Sequence, residues 1–419
     1  MEEIFNRWNP WWEEGKVPTE LLGIKRGRYL ELLKAQVKEP RVTVVTGPRR
    51  TGKTTLLYQT IEHLISSGIS PKNIFYAQLD HPGIDKDIGA IVREFRRMNK
   101  IPVKDKTYLF LDEVQYAQDW ARWVKTLFDM REGKLFISGS TTALLETDAF
   151  ASLTGRWTKI PIWPLNLQEF IAFKGGIVTG ADRYLGSSYL DDYMRTGGFP
   201  EAVMQKDANA RAKLLSDLFD DMIFKDAARS RKIRDPSALR QVAVFLLASI
   251  GTPTSVNKMH KVFKISPEAI SGYIDALCNA YLFFPCQFYS RSMNEKIYNS
   301  KKYYCIDPGI VHAVLGKIAL GAAAEDLLAL NYYKSGEIGY WKAEAELDLV
   351  IGNAKAALES KFKKDIDQKE IRGGLLFCKE KGLDKMYVAT DDLTVTKKIN
   401  GISVHFVPAA RILLGEAGP

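Results

Sequence analysis

Short apolar runs rich in β-branched and aromatic residues recur along the first 160 positions, separated by longer stretches with helical spacing. Residues 42–45, 74–77, 108–111, 134–138 and 157–161 read as five strands of the kind buried on both faces. After the first run, Leu56, Leu57, Ile61, Leu64 and Ile65 fall on one side of a helix that Gly68 can end. Strand–helix alternation of this kind predicts an α/β fold, a doubly wound parallel sheet.

Beyond residue 187 the pattern changes. Residues 187–236 have helical spacing and mixed charge. ALRQVAVFLLASIG, SVNKMHKVF and SPEAISGYIDALCNAYLFF then predict three helices. Gly251 closes the first, Ser255 caps the second, and Pro267 stands at the first turn of the third. FPCQFYSRSMNEKIYNSKKYYCID reads as strand–turn–strand. A further α/β stretch follows: helix AAAEDLLALNYYK, strands in GYWKAEAELDLVIG and AKAALESKF, helix QKEIRGGLLFCKEKG, and strand KMYVATDD. Along the first of these strands Glu344, Glu346 and Asp348 share one face and Leu347, Leu349 and Ile351 the other. Along the second, Ala357, Glu359 and Lys361 share a face.

At 419 residues the chain is too long for one ordinary domain. With 46% hydrophobic and 26% charged residues it has a globular, not a disordered, composition. The excess of 59 Lys+Arg over 50 Asp+Glu is compatible with a polyanionic partner but is spread along the chain. Four cysteines without CxxC spacing argue against a zinc site or a disulfide framework. The acidic, aromatic N-terminus is unlike a signal peptide, and no apolar run approaches bilayer length. A cytoplasmic protein without a membrane partner is the expectation.

The first strand runs into GPRRTGKTT, in which Gly47, Gly52, Lys53 and Thr54 satisfy GxxxxGK[ST] between a strand and a helix. The backbone from Gly47 through Pro48, Arg49, Arg50, Thr51 and Gly52 to Thr55 would cradle the phosphates of ATP. Lys53 would reach the β and γ phosphates, and the Thr54 hydroxyl would ligate Mg²⁺. KTYLFLDEVQ delivers Asp112 and Glu113 from a strand end. Asp112 would hold the magnesium from its second shell and Glu113 would act on the attacking water, which favours hydrolysis over phosphoryl transfer. The plain alternative for Asp112 is a helix cap. If the 134–138 strand lies between the other two, Ser138 or Ser140 would sense the γ-phosphate; otherwise each is a turn serine.

GPRRTGKTT, FLDEVQ, FISGS, LTGRWTKIPIWPLNLQEF and YMRTGGFPEAV, in this order, resemble the archaeal and bacterial AAA-like P-loop ATPases related to the STAND group. NPWW…VPTELLGIKRGR, KYYCIDPGI and ELDLVI…ESKF extend the resemblance over nearly the whole chain. It implies ATP/ADP binding and slow or regulated hydrolysis. It also places Arg156 at the family's GR motif, as an arginine finger or sensor, with a surface ion pair as the alternative. GGFP resembles the GxP element of a helical lid, which would bring Pro200 near adenine unless it is only a helix-connecting turn. Trp8, Trp11 and Trp12 either dock the N-terminal extension or wall the adenine pocket.

The three helices and hairpin resemble a winged helix. Lys258, Lys261, Lys264, Arg291, Lys296, Lys301 and Lys302 would grip DNA non-specifically, although Glu268, Ser271 and Asp275 are poor base readers. The last stretch resembles the PD-(D/E)XK nuclease fold, with Leu347 where the name-giving proline would stand. In that reading Asp348 and Glu359 ligate Mg²⁺, Glu325 adds a third carboxylate and Lys361 steadies the developing charge. The alternative is a tail that grips without cutting. The expected domains are an N-terminal extension (1–40), a P-loop ATPase core (41–175), a helical lid (176–236), a winged helix (237–312) and a nuclease-like domain (313–419). The functional expectation is a DNA-engaged ATPase, or a nucleotide-controlled switch that docks a protein partner. A homo-oligomer is compatible with either.

Overall fold

The computed structural model describes residues 1–140, 155–177, 183–231, 233–317, 319–336, 338–363 and 365–419, so Leu153 and Thr154 of the LTGRW motif lie outside the described residues. Two units divide the chain, Met1–Trp163 and Pro164–Pro419.

The first unit is built on β1 (Val42–Thr46), β2 (Ile74–Gln78), β3 (Thr107–Asp112), β4 (Gly133–Gly139) and β5 (Trp157–Pro161). All pair in parallel, in the order β2-β3-β4-β1-β5. β1 to β4 are buried at nearly every position on both faces, which is why their sequences do not alternate between apolar and polar residues. On one face Val44, Phe75, Leu109, Leu111 and Ile137 pack with residues of the helices Ile88–Asn99 and Trp120–Asp129. On the other, Val45, Tyr76, Phe110 and Phe136 pack against Leu56, Leu57, Ile61 and Leu64 of the helix Lys53–Ser66. The chain has the α/β P-loop NTPase fold, with β4 lodged between the phosphate-loop strand and the Asp112 strand.

The second unit begins with helices and ends with a mixed sheet. Pro236–Ala248, Val256–Phe263 and Pro267–Asn279 are the three expected helices, capped by the side chains of Asp235, Ser255 and Ser266. β6 (Phe283–Phe288) and β7 (Lys302–Cys305) pair antiparallel. The link between them holds a short helix, Met293–Tyr298, where the sequence reading expects a simple turn. Ser292 caps that helix and Ser290 bonds Glu295, so the polar run supplies its own nucleus. β8 (Ile338–Lys342), β9 (Glu346–Ile351), β10 (Ala356–Ser360), β11 (Lys385–Thr390), β12 (Val395–Ile399) and β13 (Ile402–Pro408) follow. The hairpin and these strands form one sheet, ordered β12-β13-β11-β10-β9-β8-β6-β7. β12 and β13 are strands that the sequence reading did not name. No helix among the described residues is long and apolar enough to cross a membrane.

Candidate functional site

The loop after β1 is shaped by residues that side chains would spoil. A Cβ on Gly47 would stand 2.0 Å from the Ile162 carbonyl oxygen, so only glycine lets the loop leave the sheet here. Gly52, at φ 88°, turns the chain into the helix Lys53–Ser66, whose first N–H groups then face the loop. The Thr51 hydroxyl donates to Pro48 O at 2.9 Å, and Lys53 Nζ donates to the carbonyls of Gly47 and Pro48, each at 2.9 Å. Arg26 braces the loop from outside: its buried guanidinium donates to Thr51 O and Trp163 O, both at 2.9 Å. The sequence reading missed this arginine, because nothing in its own neighbourhood marks it as a loop brace.

Asp112 is the centre of the site. Thr54 Oγ1 and the Tyr76 hydroxyl both donate to its Oδ2, at 2.6 and 2.8 Å, and Ser138 Oγ donates to its Oδ1. Ser138 also accepts the Glu113 N–H at 3.1 Å. β4 is next to β3, so this serine joins the two acidic positions. Ser140 lies further out and is buried, with Gln115 Nε2 3.4 Å from its hydroxyl. The same amide donates to Glu113 Oε2 at 2.5 Å. Burial pushes the Glu113 carboxyl above its ordinary range; Lys53 opposes this and Asp112 adds to it. Tyr76 and Gln115 were not singled out from sequence, Tyr76 because it reads as one more apolar residue of a buried strand. The hydroxyl of Thr54 and the carboxylate of Asp112 are the donor pair that a hard cation takes, so these residues fit Mg²⁺.

Arg156 Nε lies 3.7 Å from Asp129 Oδ1, and both side chains are about 40% exposed, the surface pair weighed as its alternative. Pro200 opens the helix Pro200–Met204 in the second unit. There a Cβ on Gly197 would stand 2.0 Å from Asp307 Oδ1, and Asp307 accepts the Gly198 N–H. The glycines of GGFP thus admit the carboxylate of CIDPGI.

The tail brings Asp348, Glu359 and Lys361 together. Lys361 Nζ donates to Asp348 Oδ2 at 2.8 Å and to Glu359 Oε2 at 2.9 Å. Asp348 also accepts Ser360 N–H at 2.9 Å, and Glu359, fully buried, accepts Gly374 N–H at 3.0 Å. Glu325 joins them, accepting the Tyr304 hydroxyl at 2.7 Å. Lys302 is the correction. Counted from sequence among DNA-gripping lysines, it is only 1% exposed and lies 2.9 Å from Glu346, 3.3 Å from Glu325 and 3.8 Å from Asp348. It sits on β7 opposite Cys286 and turns inward.

Burial works against the Lys302 charge, but Glu325, Asp348 and Glu346 outweigh it and hold the ammonium above its ordinary range. Burial, then Asp348, raises the Glu359 and Glu325 carboxyls. For Asp348 burial is overcome by Lys361 and Lys302, which lower it. Among the described residues no three His, Cys, Asp or Glu side chains are grouped to hold a metal ion. This arrangement is a lattice of ion pairs centred on Lys302 and Lys361.

With this geometry in view, the fold is that of the P-loop NTPases. Residues 39–171 match the family model described as an AAA domain, and residues 187–320 match a domain of unknown function, DUF8612. An uncharacterized protein of Haemophilus influenzae is 29% identical over 302 residues, 70% of this chain and 74% of its own length. An uncharacterized protein of Methanocaldococcus jannaschii is 30% identical over 278 residues, 64% of this chain and 60% of its own length. Among solved structures, the Walker-type ATPase of Pyrococcus abyssi is similar at 14% identity and a TM-score of 0.46, over 71% of this chain and 97% of that one.

Proposed function

We propose that the chain binds ATP with Mg²⁺ on the loop 47–55, hydrolyses it, and uses the nucleotide state to govern DNA held by its C-terminal unit. The observation that carries the ATPase reading is the Thr54–Asp112 hydrogen bond with Glu113 beside it. A magnesium ion bound there would neutralise charge on the phosphates. Lys53 turns from its own loop carbonyls to the phosphate oxygens. Gln115 fixes the Glu113 carboxylate, which takes a proton from the attacking water, and Ser138 keeps Asp112 in register. Arg156 is the candidate for a contribution to a neighbouring copy, and Pro200 for a contact with adenine.

Calorimetry on Lys53→Ala should show ATP binding lost. Glu113→Gln should bind ATP while kcat falls by about 10² to 10⁴. Undiminished turnover in Glu113→Gln would remove the base assignment.

DNA engagement rests on Lys258 and Lys261 of the helix Val256–Phe263, Lys264 at its end and Arg291 in the link between β6 and β7, all of them exposed. The tail, nuclease-like in the order of its elements, would then serve as a grip. Binding to duplex DNA titrated with salt should weaken linearly in log–log form, with a slope of about −0.9 per phosphate contacted. A second reading, a switch that docks a protein partner, is favoured by Met293, Ile297 and Tyr298, which are 70%, 69% and 88% exposed on the hairpin helix. Absence of salt-dependent DNA affinity in every nucleotide state would leave that reading standing.

A further inference from the structure

We propose that Lys302 is the resident cation of the tail's acidic cluster, so that the cluster fastens the β6–β7 hairpin to the tail and works without a divalent metal.

The argument starts from burial. An ammonium with 1% exposure is costly unless carboxylates surround it, and here three do, within 2.9 to 3.8 Å. They come from different elements: Glu325 from the helix Leu320–Tyr333, and Glu346 and Asp348 from β9. Lys302 comes from β7, so one side chain ties three parts of the sheet's surroundings together. The backbone packs against the cluster too: a Cβ on Gly251 would lie 2.9 Å from Glu325 Oε1. Lys361 serves the other half, holding Asp348 and Glu359, while Gly374 N–H takes the second Glu359 oxygen. Acidic strands that look like a metal site in sequence thus have both of their cations supplied by the chain itself. The sequence hides this because Lys302 lies 46 positions before Asp348, inside a basic run that reads as surface.

The test uses the full chain in a Thr54→Ala background, which silences the ion position on the phosphate loop. Titration with Mn²⁺, followed by electron paramagnetic resonance, should show no saturable binding below the millimolar range. The melting temperature should not depend on Mg²⁺, and supercoiled plasmid should stay intact with either metal. Lys302→Met should melt lower by on the order of 10 °C in chelator, because it leaves the carboxylates without their partner. A saturable Mn²⁺ site or plasmid cleavage that disappears in Asp348→Asn would overturn the proposal. So would an unchanged melting temperature in Lys302→Met. If that variant cannot be recovered folded, the metal titration of the Lys302-containing protein decides alone. Failure here would leave ATP binding on the loop 47–55 untouched, since the two clusters share no residue.

Discussion

Glu113 occupies the left-handed region, at φ 53° and ψ 48°, a conformation that costs a non-glycine residue on the order of 1 kcal/mol or more. The sheet holds it there: Asp112 ends β3, and Ser138 of β4 accepts the Glu113 N–H. A pH effect follows. A base must be ionised, and burial raises this carboxyl above 4.5, so kcat should fall as pH drops through the raised value. The acid limb of the pH–kcat profile should therefore lie above that of an ordinary glutamate. A limb at or below 4.5 would contradict the assignment. At this scale the sequence was legible where chemistry is contiguous, as in GPRRTGKTT and LDE. It was silent on Tyr76, Gln115 and Arg26 and put Lys302 on the surface, because each acts on a group that only the fold brings near.

Elements were easier to read than their edges. All five strands of the first sheet were visible as apolar runs, yet a run does not say which strand lies outermost. β2 does. Its free side is closed by the N-terminal segment: Asn9 donates to Tyr76 O at 3.0 Å and accepts Tyr76 N–H at 2.7 Å, as a neighbouring strand would. Trp11 and Trp12 donate to Ile74 O at 3.2 and 2.9 Å, at the start of β2 and away from the loop that follows β1. Those two tryptophans dock the extension and do not wall a nucleotide pocket. Covering an edge in this way guards against pairing with other chains. Asn9→Ala should cost about 1–3 kcal/mol in denaturant unfolding, with more aggregation on heating. Full stability in that variant would mean the edge is protected by packing alone. In the hairpin the strands were legible and the intervening helix was not, since its six residues are too few for a period to show.

Across the molecule, contacts distant in sequence carry the pH response. Asp307 is fully buried and meets Gly198, 109 positions earlier. Burial raises its carboxyl to about 7 against backbone N–H bonds that favour the charge. The folded chain therefore holds this proton more tightly than the unfolded one. Its contribution to stability should decline as pH rises from about 4 to about 7 and stay level above. Stability measured against pH should fall more steeply in the wild type than in Asp307→Asn over that window; parallel curves would refute it. The eight-stranded sheet has another consequence, for how the gene can be cut. β6 pairs with β8 at Gln287–Gly339 and Phe288–Tyr340, and Tyr289 N–H bonds Tyr340 O at 2.7 Å. A deletion or fusion breaking the gene at codon 320, where the second family match ends, would tear a sheet and bare its backbone. One breaking at codon 163 leaves each sheet whole.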